Sequence, residues 1–261
     1  MIVDVVIWDH GDSLQVMTTL CLHSSGLSGR QWNRLVAALP GVCVVPDLIG
    51  YPDGPEWIGG AALVPDLQRV IEILDSIADP VDLVGHSYGG SLAILAALQR
   101  PDRIRRLVVH EPVLWGVLAS DAPDTLDGFF DRFDTSEFFD LETGGNRVWL
   151  ESFVDFWGGL GAWQAMSEAM RNGFLHVGRK VFREVYDLSY ERTSSATYDV
   201  LSMPTLVTMG TESPVEERMV CRLLVDRKPN REFRSFSCGH MGPVTHPHLI
   251  NPAIVAFLNQ D

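Results

Sequence analysis

The sequence is short of positive charge. Across 261 residues, 20 lysines and arginines stand against 34 aspartates and glutamates, a formal net charge of −14 and a pI near 4.9. Nucleic acid and anionic membrane surfaces are poor partners for such a chain. Cysteine is scarce as well. The four cysteines, at 21, 43, 221 and 238, form no C-x-x-C pair and no metal-ligand spacing. Cys21 and Cys43 lie in apolar runs and are expected to be reduced core residues. No apolar stretch approaches membrane-spanning length. Residues 1–20 contain Asp4, Asp9 and Asp12 and lack a basic segment ahead of an apolar one, so no signal peptide is expected and the cytoplasm is the expected location. There is no internal repeat or low-complexity tract, and oligomeric state is not legible.

What is present is the composition of a globular protein, 46% hydrophobic and 21% charged, long enough to bury a sizeable core. Short runs rich in Val, Ile or Leu at 2–8, 19–23, 42–46, 81–85 and 104–109 read as strands. Amphipathic or small-residue segments at 29–39, 62–78 and 88–100 read as helices between them. The order resumes with strands at 204–210 and 231–237 and helices at 214–227 and about 248–259. Such alternation predicts an α/β fold with a doubly wound, mostly parallel sheet. Residues 113–202 break it. Trp and Phe at helical spacing mix there with acids, eight of them against the single basic Arg132 between 121 and 142. This stretch is expected to be a helical cap, 113–202, inserted into a core made of 1–112 and 203–261.

One motif carries chemistry. "LVGHSYGGS" (83–91) holds G-x-S-x-G centred on Ser87, behind an apolar strand and ahead of a small-residue helix. A serine at so sharp a strand-to-helix turn is held in a strained backbone conformation. Glycines at 85 and 89 let the flanking backbones approach, and Oγ is presented at the carboxyl end of the sheet. Open α/β sheets bind ligands at that end.

With this elbow, "HSSG" (23–26), "PDLIGY" (46–51) and "GHMGPVTHP" (239–247), the sequence resembles the α/β-hydrolase fold superfamily over nearly its whole length. The resemblance implies a nucleophile, an acid and a histidine in that chain order, with the cap inserted after strand 6 of the family's count. Ser87 takes the nucleophile position and His240 that of the base. A serine hydroxyl needs such a base within hydrogen-bond reach. Of the other histidines, His86 is expected to point away from Ser87, His23 to shape the loop after its strand, and His246 and His248 to cap the last helix. His10, His110 and His176 have no companion motif.

An oxyanion hole needs two donors aimed at the developing charge. One is the backbone N–H of Tyr88, and the family's His-Gly-x segment implies Ser25 as the other. Ser24 replaces the glycine of that segment without removing a backbone donor. Most relatives carry the acid in a G-x-x-D pattern after the strand that follows the cap. Here that stretch is "MGTESPVEE", which puts Ser213 at the acid position and Glu212 beside it. Some members place a Glu at the end of the strand before the cap. Glu111 holds that place in "LVVHEPVLW" (107–115) and is the favoured acid, with Glu212 the alternative. Trp115 and Met241 are expected to wall the pocket with Ser24.

These residues imply a cofactor-free, metal-free serine hydrolase. It would cleave a small carboxylic ester, thioester or lactone with an apolar group through an acyl-enzyme on Ser87. Acyl transfer and carbon–carbon bond hydrolysis use the same triad, and a ligand receptor on a hydrolase scaffold is the competing class. Haloalkane dehalogenase and epoxide hydrolase chemistry need a carboxylate where Ser87 stands. The role of "FWGGLGAW" (156–163) is not legible.

Overall fold

The structure, a computed structural model, describes residues 5–7, 17–132, 135–226 and 228–260. Its strands are β1 (Val5–Ile7), β2 (Thr18–Leu22), β3 (Val42–Val44), β4 (Val81–His86), β5 (Ile104–His110), β6 (Thr205–Gly210) and β7 (Arg231–Phe236). They form one sheet in the order β1-β3-β2-β4-β5-β6-β7. β1 runs antiparallel to β3, and the other six strands are mutually parallel.

The helices are α1 (Asn33–Val36), α2 (Leu63–Ser76), α3 (Tyr88–Gln99), α4 (Trp115–Asp121), α5 (Pro123–Arg132), α6 (Thr135–Phe138), α7 (Arg147–Gly158), α8 (Ala162–Ala165), α9 (Glu168–Tyr190), α10 (Val215–Val225), α11 (Gly242–Thr245) and α12 (Pro247–Leu258). The segment expected to be one helix over 29–39 is a 3₁₀ turn (Gly29–Trp32) followed by the short α1.

The central strands β2, β4, β5 and β6 are buried on both sides, and their alternate residues feed two cores. Cys21, Cys43, Val84, Val108 and Leu206 face Trp32, Leu35, Ile250, Ile254 and Phe257 of the α1 and α12 layer. Leu20, Leu22, Val44, Leu83, Leu107, Val109 and Val207 face the opposite layer, which contains α2, α3, α10 and the helices between β5 and β6. All four cysteines are buried and unpaired.

Between β5 and β6 the described residues hold six helices, α4 to α9, and no strand. This insertion leaves the sheet after β5, the fifth described strand. Parallel strands put all their carboxyl ends on one edge, so the tips of β4, β5 and β6 stand side by side. The insertion arises at that edge.

Candidate active site

Two strand tips are strained. Ser87, just past β4, has φ 56° and ψ −121°, and Glu111, just past β5, has φ 43°. Among the described residues these are the two non-glycine positions with positive φ. Such backbone costs of order 1–3 kcal/mol and persists where surrounding structure enforces it. Each residue is held by one more hydrogen bond beyond its strand. Ser87 N–H donates to His110 O at 3.0 Å, and Glu111 N–H donates to Thr208 O at 3.1 Å. The elbow around Ser87 depends on two glycines. A Cβ on Gly85 would lie 2.4 Å from Gly89 O, and one on Gly89 would lie 2.4 Å from Leu22 O. Any side chain there would push the helix off the strand.

Glu111 is fully buried and saturated. Its Oε1 accepts from Gly210 N–H at 2.6 Å, and its Oε2 stands 2.7 Å from His240 Nδ1. Burial would push this carboxyl up. The hydrogen bond with His240, the nearby His110 and the Ser213 hydroxyl outweigh it and hold Glu111 at about 2. Ser213 thus stands beside the Glu111 carboxylate. Glu212 is exposed and lines an adjoining outer cavity of about 590 Å³ with Arg132, Trp157 and His246, a cavity that meets the Ser87 side at His240 and Met241. Of the two candidate carboxylates, Glu111 makes the bond to the histidine.

His240 is fixed from three sides. Glu111 holds Nδ1, His86 Nε2 donates to its backbone carbonyl at 2.9 Å, and the Trp157 ring lies over it at 4.2 Å. That second bond requires the Nε2–H form of His86, and burial keeps its ring well below the usual histidine range. A cavity of about 250 Å³ brings Ser87 and His240 together with Ser24, Ser25 and Met241. The rest of its wall is apolar, chiefly Phe153, Trp157, Met170 and Phe174 from the insertion.

The profile of the Alpha/beta hydrolase family matches residues 19–253. The chain belongs to this family. It is 29% identical over 267 aligned residues to Lipase LipV of Mycobacterium tuberculosis, covering 95% of each chain. It is 24% identical to the 2-hydroxymuconate semialdehyde hydrolase of Pseudomonas putida over 82% of this chain and 76% of that one. Its fold is similar to that of the enol-lactonase from Burkholderia xenovorans LB400, with a TM-score of 0.75, 16% identity, and 98% and 95% of the two chains covered.

In this hydrolase the backbone N–H of Tyr88 opens α3, where the first-turn N–H groups have no intrahelical acceptor. Its phenol turns away and donates to Asp66 Oδ2 at 2.8 Å. Trp115 is a correction. It does not line the cavity but packs against Phe129 at 4.8 Å and Phe139 at 6.4 Å. Starting α4, its ring turns into the insertion's own core. His23 does shape its loop, with Nδ1–H donating to Ser24 O at 2.9 Å and Nε2 accepting from Leu48 N–H at 3.0 Å. His110 is buried with Nδ1 2.9 Å from Thr208 Oγ1. His246 supplies the N-cap residue of α12 without a side-chain cap, its ring bonding Thr245 Oγ1 instead. His10 lies outside the described residues.

Sequence reasoning missed three features. Trp157 covers His240 from the "FWGGLGAW" segment. Glu216 and Glu217, on the helix expected over 214–227, are buried rather than solvated. Glu216 pairs with Arg132, and Glu217 is pushed well up by burial and by the charge on Glu111. The third is a buried ionic cluster around Lys180, Asp66 and Glu184. No helix among the described residues is long and apolar enough to cross a membrane.

Proposed function

We propose that the protein is a serine hydrolase that cleaves a carboxylic ester, thioester or lactone carrying a medium-sized apolar acyl group. The observation that carries this reading is the 2.7 Å contact between His240 Nδ1 and a buried, ionised Glu111, on a histidine that shares its cavity with Ser87. Glu111 keeps the proton of neutral His240 on Nδ1, which leaves Nε2 free to accept. Ser87 Oγ bonds to the acyl carbon while its proton passes to Nε2, and the carbonyl oxygen takes the negative charge. The backbone N–H groups of Tyr88 and Ser25 stabilise that oxyanion. The tetrahedral intermediate collapses, His240 returns the proton to the leaving oxygen or sulfur, and the acyl group stays on Ser87. Water then repeats the sequence with His240 as base and releases the acid. No step needs a metal or cofactor.

Helices of 113–202 act as the cap that gives this site its apolar wall. The cavity is small, about 250 Å³, and its wall is chiefly apolar. That suits a hexanoyl or octanoyl chain. The test is hydrolysis of p-nitrophenyl acetate, hexanoate, octanoate and palmitate by wild type and Ser87→Ala. The expected outcome is an optimum at hexanoate or octanoate, with wild type at least about 10³-fold faster than the variant. Wild type no faster than Ser87→Ala would remove the esterase reading and leave the receptor reading in its place.

A further inference from the structure

Beneath the site lies a buried ionic cluster that the hydrolytic steps do not use. Lys180, on α9 of the insertion, is 2% exposed, and its Nζ reaches Asp66 Oδ2 at 2.6 Å and Glu184 Oε1 at 2.7 Å. Both carboxylates are 0% exposed. Asp66 belongs to α2 of the core, while Glu184 is one turn beyond Lys180 on α9. A lone buried charge of this kind is strongly unfavourable, so the three groups can persist only together.

Each carboxylate leads to one of the residues whose backbone N–H is assigned to the oxyanion hole. Asp66 Oδ2 accepts the Tyr88 hydroxyl at 2.8 Å. Glu184 accepts the Tyr51 hydroxyl at 3.0 Å through either oxygen. The Tyr51 oxygen in turn accepts Gly26 N–H at 2.8 Å, and the Ser25 hydroxyl stands within reach of Glu184. Tyr51 therefore holds the turn Ser24–Ser25–Gly26 through Gly26 N–H, and Asp66 holds Tyr88 through its hydroxyl. Asp66 Oδ1 also accepts Ile49 N–H at 3.1 Å, which ties in the loop that carries Tyr51. Lys180 is the bridge between the two halves.

We propose that Lys180, Asp66, Glu184 and Tyr51 are positioning residues that set the spacing between the Ser25 and Tyr88 N–H groups, so that the oxyanion hole is complete only while α9 is docked on the core. This rests on the hydrolase reading given above. The bridging cation comes from the insertion and the two donors from the core, so the cluster couples the seating of the cap to transition-state stabilisation. A shift of about 1 Å in a reacting geometry costs about 10²-fold in rate, and loss of one oxyanion donor costs about 10²- to 10³-fold.

The test uses Tyr51→Phe, which keeps every charge and removes one oxygen, and Glu184→Gln as the harsher variant. Three quantities are read with p-nitrophenyl hexanoate: kcat per active site, from fluorophosphonate end-point titration; KM; and inhibition by hexylboronic acid, whose tetrahedral adduct with Ser87 places an anionic oxygen in the hole. Tyr51→Phe is expected to lose about ten- to a hundredfold in kcat, keep KM within about twofold, and weaken boronate inhibition by the same factor as kcat. A purely structural role would lower the titratable fraction and leave kcat per site and the boronate constant unchanged. That result overturns the proposal, as does a rise in KM alone or a fall in kcat without weaker boronate binding. Ser87→Ala is run alongside. If wild type does not outpace it, the hydrolase reading and this proposal fall together; if wild type does and Tyr51→Phe matches wild type, only the positioning role falls.

Discussion

Replacing Glu111 by Gln changes one oxygen to an NH₂ group, and the structure dictates which way the amide must turn. Gly210 N–H points at Oε1 from 2.6 Å, so the amide oxygen has to stay there. Turning the NH₂ to that side sets donor against donor in a buried space, at a cost of about 1–3 kcal/mol. With the oxygen at Gly210, the NH₂ faces His240 Nδ1 and makes Nδ1 the acceptor. The imidazole proton then sits on Nε2, the atom that must take the proton of Ser87. Recovering the productive tautomer costs that clash, and loss of the anionic partner to the imidazolium costs about 1.5–3 kcal/mol more. Together about 3–6 kcal/mol is lost, about 10²- to 10⁴-fold in kcat. The assay is steady-state hydrolysis of p-nitrophenyl hexanoate at pH 7.5 by Glu111→Gln and Glu212→Gln, with circular dichroism to establish folding. Glu212, exposed and turned to the outer cavity, is expected to leave kcat within about twofold. Retention of more than a tenth of wild-type kcat by Glu111→Gln, or a larger loss in Glu212→Gln, would refute the tautomer argument.

Two further outcomes are expected. Ser87→Gly should be more stable toward urea than Ser87→Ala by about 1 kcal/mol, because glycine relieves the positive φ at 87 while alanine keeps it, partly offset by glycine's freer unfolded chain; equal midpoints would mean that the elbow stores no strain. Burial holds the ring of His23 down at about 4, against 6.5 for the free group, so the folded form is neutral while the unfolded chain takes up a proton below about pH 6.5. Its contribution is therefore full above 6.5 and lost as pH falls toward 4, by up to about 3 kcal/mol. His23→Gln can supply one donor to Ser24 and one acceptor to Leu48, and its stability should fall less than wild type between pH 6.5 and 4.5; parallel curves from urea unfolding at the two pH values would disprove the buried-neutral account.

The sheet was legible because strand tips announce themselves: apolar β-branched runs end on Gly, Pro or a polar residue, and the helices between them force parallel order. Glu111 was legible by contrast with Ser213, since an acid missing from one strand tip had to be sought at another. Trp115 was misjudged because nearness in sequence to Glu111 says nothing about which way the ring turns at the start of a new helix. Trp157 gave no signal, for a lone aromatic in an aromatic-rich segment carries no record of the histidine it covers. Lys180 and Glu184 show the deeper obstacle. Their i,i+4 spacing is that of an ordinary solvated helix face, and only the tertiary partners Asp66, Tyr51 and Tyr88 make it a buried one.

The meeting of Glu111 and Ser213 at one spot has a consequence for how such sites change over time. The carboxylate's place is defined by the histidine it serves, and two different strands deliver a side chain there. A chain with acids at both 111 and 213 would crowd two carboxyls against one imidazole, and in so dry a space one of them would hold a proton. The pair would still carry a single negative charge and still support His240. Exchange of one supplier for the other would then pass through a chain that still holds His240, and the acid would change its address without the histidine moving.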